Sequence, residues 1–264
     1  MIRNCLVSDF ALRYREAVRN AGLTNKGGMM YNEDMKKNKI AIFDIDGTIF
    51  RKNLHFELIN ELVWLKVFPQ KVRKELVELY ANWIEHEGVY DDYRRKLVDL
   101  YAQHIVGCSP EDVKKASRIL MPFHEKRTYI FAEQLIRKFR EENFYIVAIS
   151  GSPIEIVEEY NRRYLKFDQV LGSVYSIGAD GMYTGGADFE PTKNKGVAAQ
   201  QIVYENHLTF EGSYGIGDTE SDASLLELVE CPIAFNPNQN LKSIAEQKAW
   251  RMVVEKKDVI YEIK

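Results

Sequence analysis

The chain alternates between short, uniformly apolar runs and longer stretches in which apolar residues return every three or four positions. The runs are Ile40 to Phe43, Phe144 to Ile149, Ser213 to Ile216 and Pro232 to Phe235, with Arg251 to Val254 as a further one. A run without polar alternation suits a strand buried on both faces, the situation of a central strand in a parallel sheet. Helical periods lie between the runs. Tyr129 to Phe139 precedes the second run and Ile154 to Tyr164 follows it; Lys195 to Tyr204 precedes the third and Asp222 to Val229 follows it. Strands alternating with helices predict a three-layer α/β domain around a parallel sheet.

Between the first and second strands the pattern changes. Residues 54 to 120 hold no strand signal and carry amphipathic helical stretches near 55–67, 70–86, 90–105 and 110–120, punctuated by Pro69, Gly88, Gly107 and Pro110. Ser109-Pro110-Glu111-Asp112 is a helix start in miniature, with a capping serine, proline at the first helical position and acids in the first turn. An all-helical insertion directly after the first strand is a candidate cap or lid, placed to exclude water and select substrate, the alternative being a helical elaboration with no gating role. The expected division is an N-terminal extension over 1–38, an α/β core over 39–52 and 122–264, and a helical cap over 53–121. Further on, Val170 to Ile177 and Met182 to Thr184 flank Gly178-Ala179-Asp180-Gly181, and an Asp-Gly pair between β-prone runs predicts a hairpin. At the N-terminus, Leu6, Phe10, Tyr14 and Val18 stand at helical spacing, and Asn25 to Gly28 reads as a flexible connection.

Composition narrows the class. With 264 residues, 45% hydrophobic and 28% charged, the chain is ordinary globular protein, long enough for one large domain with an insertion. A formal charge of −3 gives no support for a nucleic-acid partner. No run of about eighteen apolar residues exists to span a membrane, and the N-terminus lacks the apolar stretch of a secretory signal. Asp9 and Glu16 argue against a transit peptide. Cys5, Cys108 and Cys231 are scattered and odd in number, with neither metal-ligand spacing nor a disulfide framework, which favours the cytoplasm. Nothing in the pattern sets an oligomeric state.

Four short constellations carry the chemistry. The first strand runs into Asp44-Ile45-Asp46-Gly47-Thr48. Residues i and i+2 of extended chain share a side, so two carboxylates are aimed at one place at the end of a strand, where open α/β sheets bind ligands. Like charges that close call for a cation, a shared proton or both, and a hard divalent metal is the simplest answer. Asp and Gly are also ordinary turn residues, so this motif alone does not decide. The second strand ends in Ser150-Gly151-Ser152-Pro153 before a helix, a hydroxyl and amides suited to an anion. The third set, Pro191 to Gly196, places Lys193 and Lys195 at a helix N-terminus, where a lysine opposes the helix dipole and makes sense if it faces carboxylates and phosphate, although either one taken singly reads as a solvated lysine of a polar loop. The fourth, Gly217-Asp218-Thr219-Glu220-Ser221-Asp222, offers Asp218 as a hard-metal ligand and Asp222 as a further carboxylate or a helix-start acid.

In order and spacing these four sets resemble the haloacid dehalogenase superfamily, in particular its phosphoserine-phosphatase-like branch, over about residues 39–255. The resemblance implies a three-layer, Rossmann-like core with a helical cap and a small phosphate ester as substrate. It also implies Asp44 as the nucleophile that becomes phosphorylated and Asp46 as the acid and base. Mg²⁺ would be held by Asp44, Asp46 through its backbone carbonyl, and Asp218, with Asp222 close by. Ser150 and Lys195 would hold the phosphoryl oxygens, with Thr48 and Gly151 adding hydrogen bonds. Lys195 is preferred to Lys193 because it precedes the small residue Gly196.

Other readings of the same motifs are a dehalogenase, a phosphotransferase or phosphomutase, and a non-catalytic binding module. Asp46 counts against the dehalogenase, which lacks an acid there by the same resemblance. Substrate is less legible. Phosphoserine phosphatases carry a glutamate where this chain has Asn53, after Arg51 and Lys52, so the resemblance does not extend to phosphoserine itself. Arg94 and Arg95 in the third cap helix are candidates for binding an anionic group of the ester, against a solvated basic face, and His55 is either a site residue or a helix-surface histidine.

Overall fold

The computed structural model describes residues 37–263 together with Tyr14, Glu16, Ala17 and Arg19. These four are helical; the rest of the expected N-terminal helix over 1–22, and the connection at Asn25 to Gly28, lie outside the described residues. Ala17 is buried, and Tyr14 donates its hydroxyl to the Val170 carbonyl (3.2 Å) and packs on Phe189 (4.8 Å between ring centres).

Eight strands form one sheet. In chain order they are β1 (Lys39–Phe43), β2 (Tyr145–Pro153), β3 (Gln169–Ile177), β4 (Tyr183–Phe189), β5 (Thr209–Gly217), β6 (Cys231–Phe235), β7 (Arg251–Lys256) and β8 (Val259–Ile263). Their order across the sheet is β4-β3-β2-β1-β5-β6-β7-β8, parallel throughout except for the antiparallel outer pairs β3–β4 and β7–β8. The chain leaves β1 toward β2 and β3, then returns to β5 on its other side. β1 is therefore the topological switch point, and the crevice at its carboxyl end is where such sheets hold ligands.

The apolar runs are strands because both faces are covered. Ile40 and Ile42 pack with Val147, Ile149 and Leu171 against Ala198, Ala199 and Ile202 of the helix Lys195–Glu205, while Ala41 and Phe43 face the opposite cluster. On that side Phe43 meets Phe139, from the helix Ile130–Glu141, edge-on at 5.9 Å. The alternation within β1 thus divides one strand between two cores.

The helices between β1 and β2 are α1 (Leu54–Trp64), α2 (Gln70–Ile84), α3 (Tyr90–Ile105) and α4 (Pro110–His124), followed by α5 (Ile130–Glu141). α1 is capped by Asn53, whose Oδ1 accepts from the Phe56 N–H (2.9 Å), and α4 by Ser109, as its sequence foretells. The remaining helices are α6 (Ile154–Tyr160), α7 (Lys195–Glu205), α8 (Ala223–Leu226) and α9 (Gln239–Lys248). Three expected elements differ. The helix over 154–164 gives way after Tyr160 to a wider turn, Asn161–Leu165. The helix over 222–229 is a short 3₁₀ turn, Glu220–Asp222, followed by α8. The second strand, whose apolar run ends at Ile149, continues through Ser150 to Pro153 by way of an irregularity, with Pro153 opposite Ser173 of β3. The Asp180-Gly181 hairpin is present between β3 and β4, and Gly107 and Cys108 of the insertion bond to Tyr183 at its far side (2.8 and 3.0 Å). No helix among the described residues is long and apolar enough to cross a membrane.

Candidate active site

β1 ends at Phe43, but the Asp44 N–H continues the ladder to the Ile216 carbonyl of β5 (2.9 Å). The chain then turns tightly, with the amides of Thr48, Ile49 and Phe50 all directed at the Ile45 carbonyl (3.2, 2.9 and 2.8 Å). Gly47 makes that turn at φ +87°, and a Cβ there would stand 2.1 Å from Asp218 Oδ2. Only glycine lets the loop after β1 approach the loop after β5 this closely. Gly217 serves the same close fit one strand over, since a Cβ there would fall 2.4 Å from Asp222.

These approaches gather carboxylate oxygens of Asp44, Asp218 and Asp222 within 4.8 Å of one another, all three residues buried. Lys195, 1% exposed at the start of α7, places its ammonium 2.5 Å from Asp44 Oδ1 and 2.6 Å from Asp222 Oδ1. Burial alone would make that lysine lose its proton more easily; Asp222 and Asp44 outweigh burial and hold it above the ordinary lysine value. Lys193 is exposed and pairs with Glu190 (2.7 Å), so the lysine of this site is Lys195.

The carboxylates show the cost of their crowding. Burial raises the Asp44 pKa to about 7, with Lys195 opposing and Asp222 and Asp46 adding to the rise. Burial also lifts Asp218 well above the usual carboxylate range, helped by Asp44 and Asp222. Asp44 Oδ1 is taken by Lys195, but Oδ2 is buried without a partner. An unpartnered carboxylate oxygen beside Asp218 is the donor set of a hard divalent cation, and these residues fit one. Asp222 differs. Its Oδ1 accepts from Lys195 and its Oδ2 from the amides of Asp218 and Thr219 (3.0 and 3.1 Å), so both oxygens are committed to holding the lysine and the loop.

Asp46 is held from three directions. Its Oδ1 accepts from the Leu54 N–H of α1 (2.6 Å), and its Oδ2 accepts from the hydroxyls of Ser150 (3.0 Å) and Ser152 (2.7 Å). Burial raises its pKa, and these hydrogen bonds work against the rise. Ser150 Oγ also accepts from the Ser152 N–H (3.0 Å). Gly151 lines the cavity against Thr192, whereas the Thr48 hydroxyl is buried and unpartnered.

The cavity above these groups is bounded on the insertion side by Asn53, His55, Tyr90, Arg94, Leu97 and Val98. Arg94 is brought to it, with one guanidinium nitrogen on Asp91 (2.7 Å). Arg95 is not among the lining residues: its exposed side chain pairs with Asp91 and Asp92 (3.2 and 2.6 Å) on the outer face of α3. His55 lines the cavity and is buried, 3% exposed, rather than standing on the helix surface. Sequence reasoning took the Ser152 amide into account but passed over its hydroxyl, and passed over Tyr90. The signal for the hydroxyl is present, since in a strand Ser152 shares a side with Ser150, but the apolar run that marks the strand stops at Ile149. Tyr90, the first residue of α3, had no such signal.

The model of the haloacid dehalogenase-like hydrolases matches residues 41–227 of the chain, from β1 to the helix after β5. The protein belongs to that family. Among curated relatives it is 24% identical over 227 residues to a histidinol-phosphatase of Neisseria meningitidis serogroup C (strain 8013), covering 80% of this chain and 96% of that one. Its fold is similar to that of a protein of unknown function from Bordetella pertussis Tohama I (TM-score 0.62, 17% identity, 82% and 98% coverage). It is similar also to a phosphoserine phosphatase solved as a phospho-aspartyl intermediate analogue (TM-score 0.55, 22% identity, 84% and 96% coverage). This family member carries its carboxylate cluster at the switch point of the sheet, beneath an inserted layer of helices.

Proposed function

We propose that the protein is a Mg²⁺-dependent phosphatase that hydrolyses a small phosphomonoester through a phosphorylated Asp44. One observation carries the reading: Asp44 keeps one oxygen on Lys195 and leaves the other buried and unpartnered beside Asp218. Asp44, the backbone carbonyl of Asp46 and Asp218 would hold the cation, which when bound offsets the charge of the phosphate and the carboxylates. Asp222 acts by positioning Lys195 and the Asp218 loop, since its own oxygens are engaged.

In the first step Asp44 forms a bond to phosphorus as the ester P–O bond breaks, and Asp46 gives its proton to the departing alkoxide. In the second, Asp46 takes a proton from water as that water attacks phosphorus and releases Asp44. Burial keeps Asp46 readier to hold a proton than an exposed carboxylate, and Leu54, Ser150 and Ser152 fix its direction. Lys195 and the Gly151 amide hold the phosphoryl oxygens, with the Ser150 hydroxyl turning to them from Asp46 and Thr48 supporting the turn beside them.

The helical segment 53–121 acts as the cap over a core of 39–52 and 122–264, and the free thiols Cys108 and Cys231 fit a reducing cytoplasm. Named relatives act on amino-alcohol and amino-acid phosphates, which sets the first substrates to try. Asn53, spent on capping α1, stands where phosphoserine phosphatases carry glutamate and supports a different ester. The test is hydrolysis of an aryl phosphate with Mg²⁺, abolished by chelator and by Asp44→Asn. Full activity in that variant overturns the nucleophile assignment. Release of halide without phosphate turns the reading to a dehalogenase.

A further inference from the structure

Two residues of the cavity wall hold a buried polar atom with no partner: Asp44, through Oδ2, and His55, through Nε2. The first is accounted for by the cation. The second belongs to the cap side of the cavity and takes no part in the phosphoryl chemistry. His55 follows Leu54, whose amide fixes Asp46, and His55 and Asp46 line the same cavity. Its orientation is set by packing. The ring meets Tyr101 edge-on at 4.6 Å, and Tyr101 meets Tyr175 at 4.9 Å.

We infer that His55 reads a hydroxyl on the departing alcohol, and that the ester cleaved has a neutral, hydroxyl-bearing leaving group, a polyol or sugar. This rests on the phosphatase reading above. A neutral imidazole can donate or accept at a ring nitrogen according to its tautomer, and a hydroxyl can answer either way. Burial pushes the His55 pKa down to about 3, so the ring is neutral at any working pH and is not a second acid for the reaction. Outside the carboxylate cluster and its lysine, the charged residues of the wall face partners of their own, Arg94 with Asp91 and Glu190 with Lys193, each at 2.7 Å. Asn53 Oδ1 is committed to its helix. Leu97 and Val98 supply an apolar side for the carbon skeleton. A buried group left unpaired in the free enzyme and satisfied by substrate discriminates strongly against an ester that lacks the matching hydroxyl.

The experiment compares kcat/KM for glycerol 2-phosphate, a hexose 6-phosphate, O-phosphoserine, histidinol phosphate and an aryl phosphate, in wild type, His55→Phe and His55→Gln. The hydroxylated neutral esters are expected to exceed the two charged ones by at least about tenfold in wild type. In His55→Phe the ratio of the best hydroxylated ester to the aryl ester should fall about 10- to 100-fold, and His55→Gln should recover part of it. Because both rates come from one preparation, the ratio is independent of how much of a variant folds. A ratio unchanged within about twofold, or a wild-type preference for either charged ester, overturns the inference while leaving the phosphatase reading standing. Failure of wild type on every ester, the aryl phosphate included, overturns both.

Discussion

Lys195 Nζ and Asp44 Oδ1 meet at 2.5 Å across 151 positions of sequence, at a point where the lysine is 1% exposed and the aspartate 6%. The pair exists because the two loops that matter follow a central strand and open a helix packed on that strand. Replacing Lys195 by Met keeps the stem and removes the charge, leaving Asp44 and Asp222 facing each other in a site that water scarcely reaches. Breaking a buried pair from one side costs about 3–5 kcal/mol, so the metal-free variant should unfold at distinctly lower denaturant. Its kcat should drop by about 10²–10³ through loss of a fixed positive charge at the transferring group. Lys193→Met, on the exposed neighbour, should move stability by less than about 0.5 kcal/mol. Urea titrations and aryl-phosphate kinetics on both variants decide whether the charge or merely the region matters.

The same crowding predicts how the cation and protons compete. Asp44 titrates near pH 7 and Asp218 is raised well above the carboxylate range, both chiefly by burial. In the unfolded chain these groups lose their protons near pH 4. Between those limits the metal-free native state holds more protons than the unfolded state, so this site's contribution to stability falls as pH rises through the window. Mg²⁺ must displace those protons, so its affinity rises over the same range. The gain in unfolding temperature from Mg²⁺ should be larger at pH 8 than at pH 5. Calorimetric titrations near pH 6 in buffers of different ionisation enthalpy should register proton release on binding. Equal gains at both pH values would contradict the raised carboxylates.

Gly47→Ala is a sharper probe of the two-loop geometry than any change to the carboxylates themselves. The added methyl would lie 2.1 Å from Asp218 Oδ2, and the alanine would have to hold φ near +87°. The backbone alone costs about 1–3 kcal/mol. Relief comes by turning the Asp218 carboxylate aside or by moving one loop away from the other, and either displaces the Asp218 oxygens from Asp44. Stability should fall by at least that amount and apparent Mg²⁺ affinity by about tenfold or more, the latter corresponding to about 1.4 kcal/mol. Mg²⁺-dependence of activity gives the affinity. A variant destabilised yet normal in its Mg²⁺ requirement would show that Asp218 does not bind the cation.

Much of this arrangement was legible from the chain. The β1 run, its two aspartates, the helix-opening Lys195 and the Gly-Asp after β5 each gave a local signal that the fold gathers into one site. What sequence left open was direction. Ser152 was hidden by the continuation of β2 beyond its apolar run, where pairing with β3 rather than residue type makes the strand. Sequence left Asp222 open between a further carboxylate of the site and a helix-start acid, and its hydrogen bonds to Lys195 and two amides show how its oxygens are engaged. β8 gave no signal because it is largely exposed and earns its place only by pairing with β7. Arg94 and Arg95 are adjacent, and helix rotation alone brings the first to the cavity and leaves the second on the outer face.

The helical insertion is joined to the core through two chain segments, and one buried carboxylate of β7 binds both. Glu255 is 6% exposed; it accepts from the amides of Ile130 (3.2 Å) and Phe131 (2.9 Å) at the start of α5, and from the Arg51 guanidinium. Arg51 in turn donates to the Thr128 carbonyl (2.8 Å), and its amide bonds to the Arg127 carbonyl (2.9 Å). The entry segment near Arg51 and the exit segment near Thr128 are therefore fastened to each other and to β7, next to the edge strand, by the side chains of Glu255 and Arg51. Glu255→Ala leaves two helix-start amides and a guanidinium without their acceptor, and should cost about 3–5 kcal/mol. Glu255→Gln keeps an acceptor oxygen for one of the amides and should cost less. Denaturation of both variants tests the ordering. Limited proteolysis should cut Glu255→Ala faster than wild type between residues 49 and 53 or between 125 and 129. Equal cleavage would mean that the backbone bonds between the two segments suffice without the carboxylate.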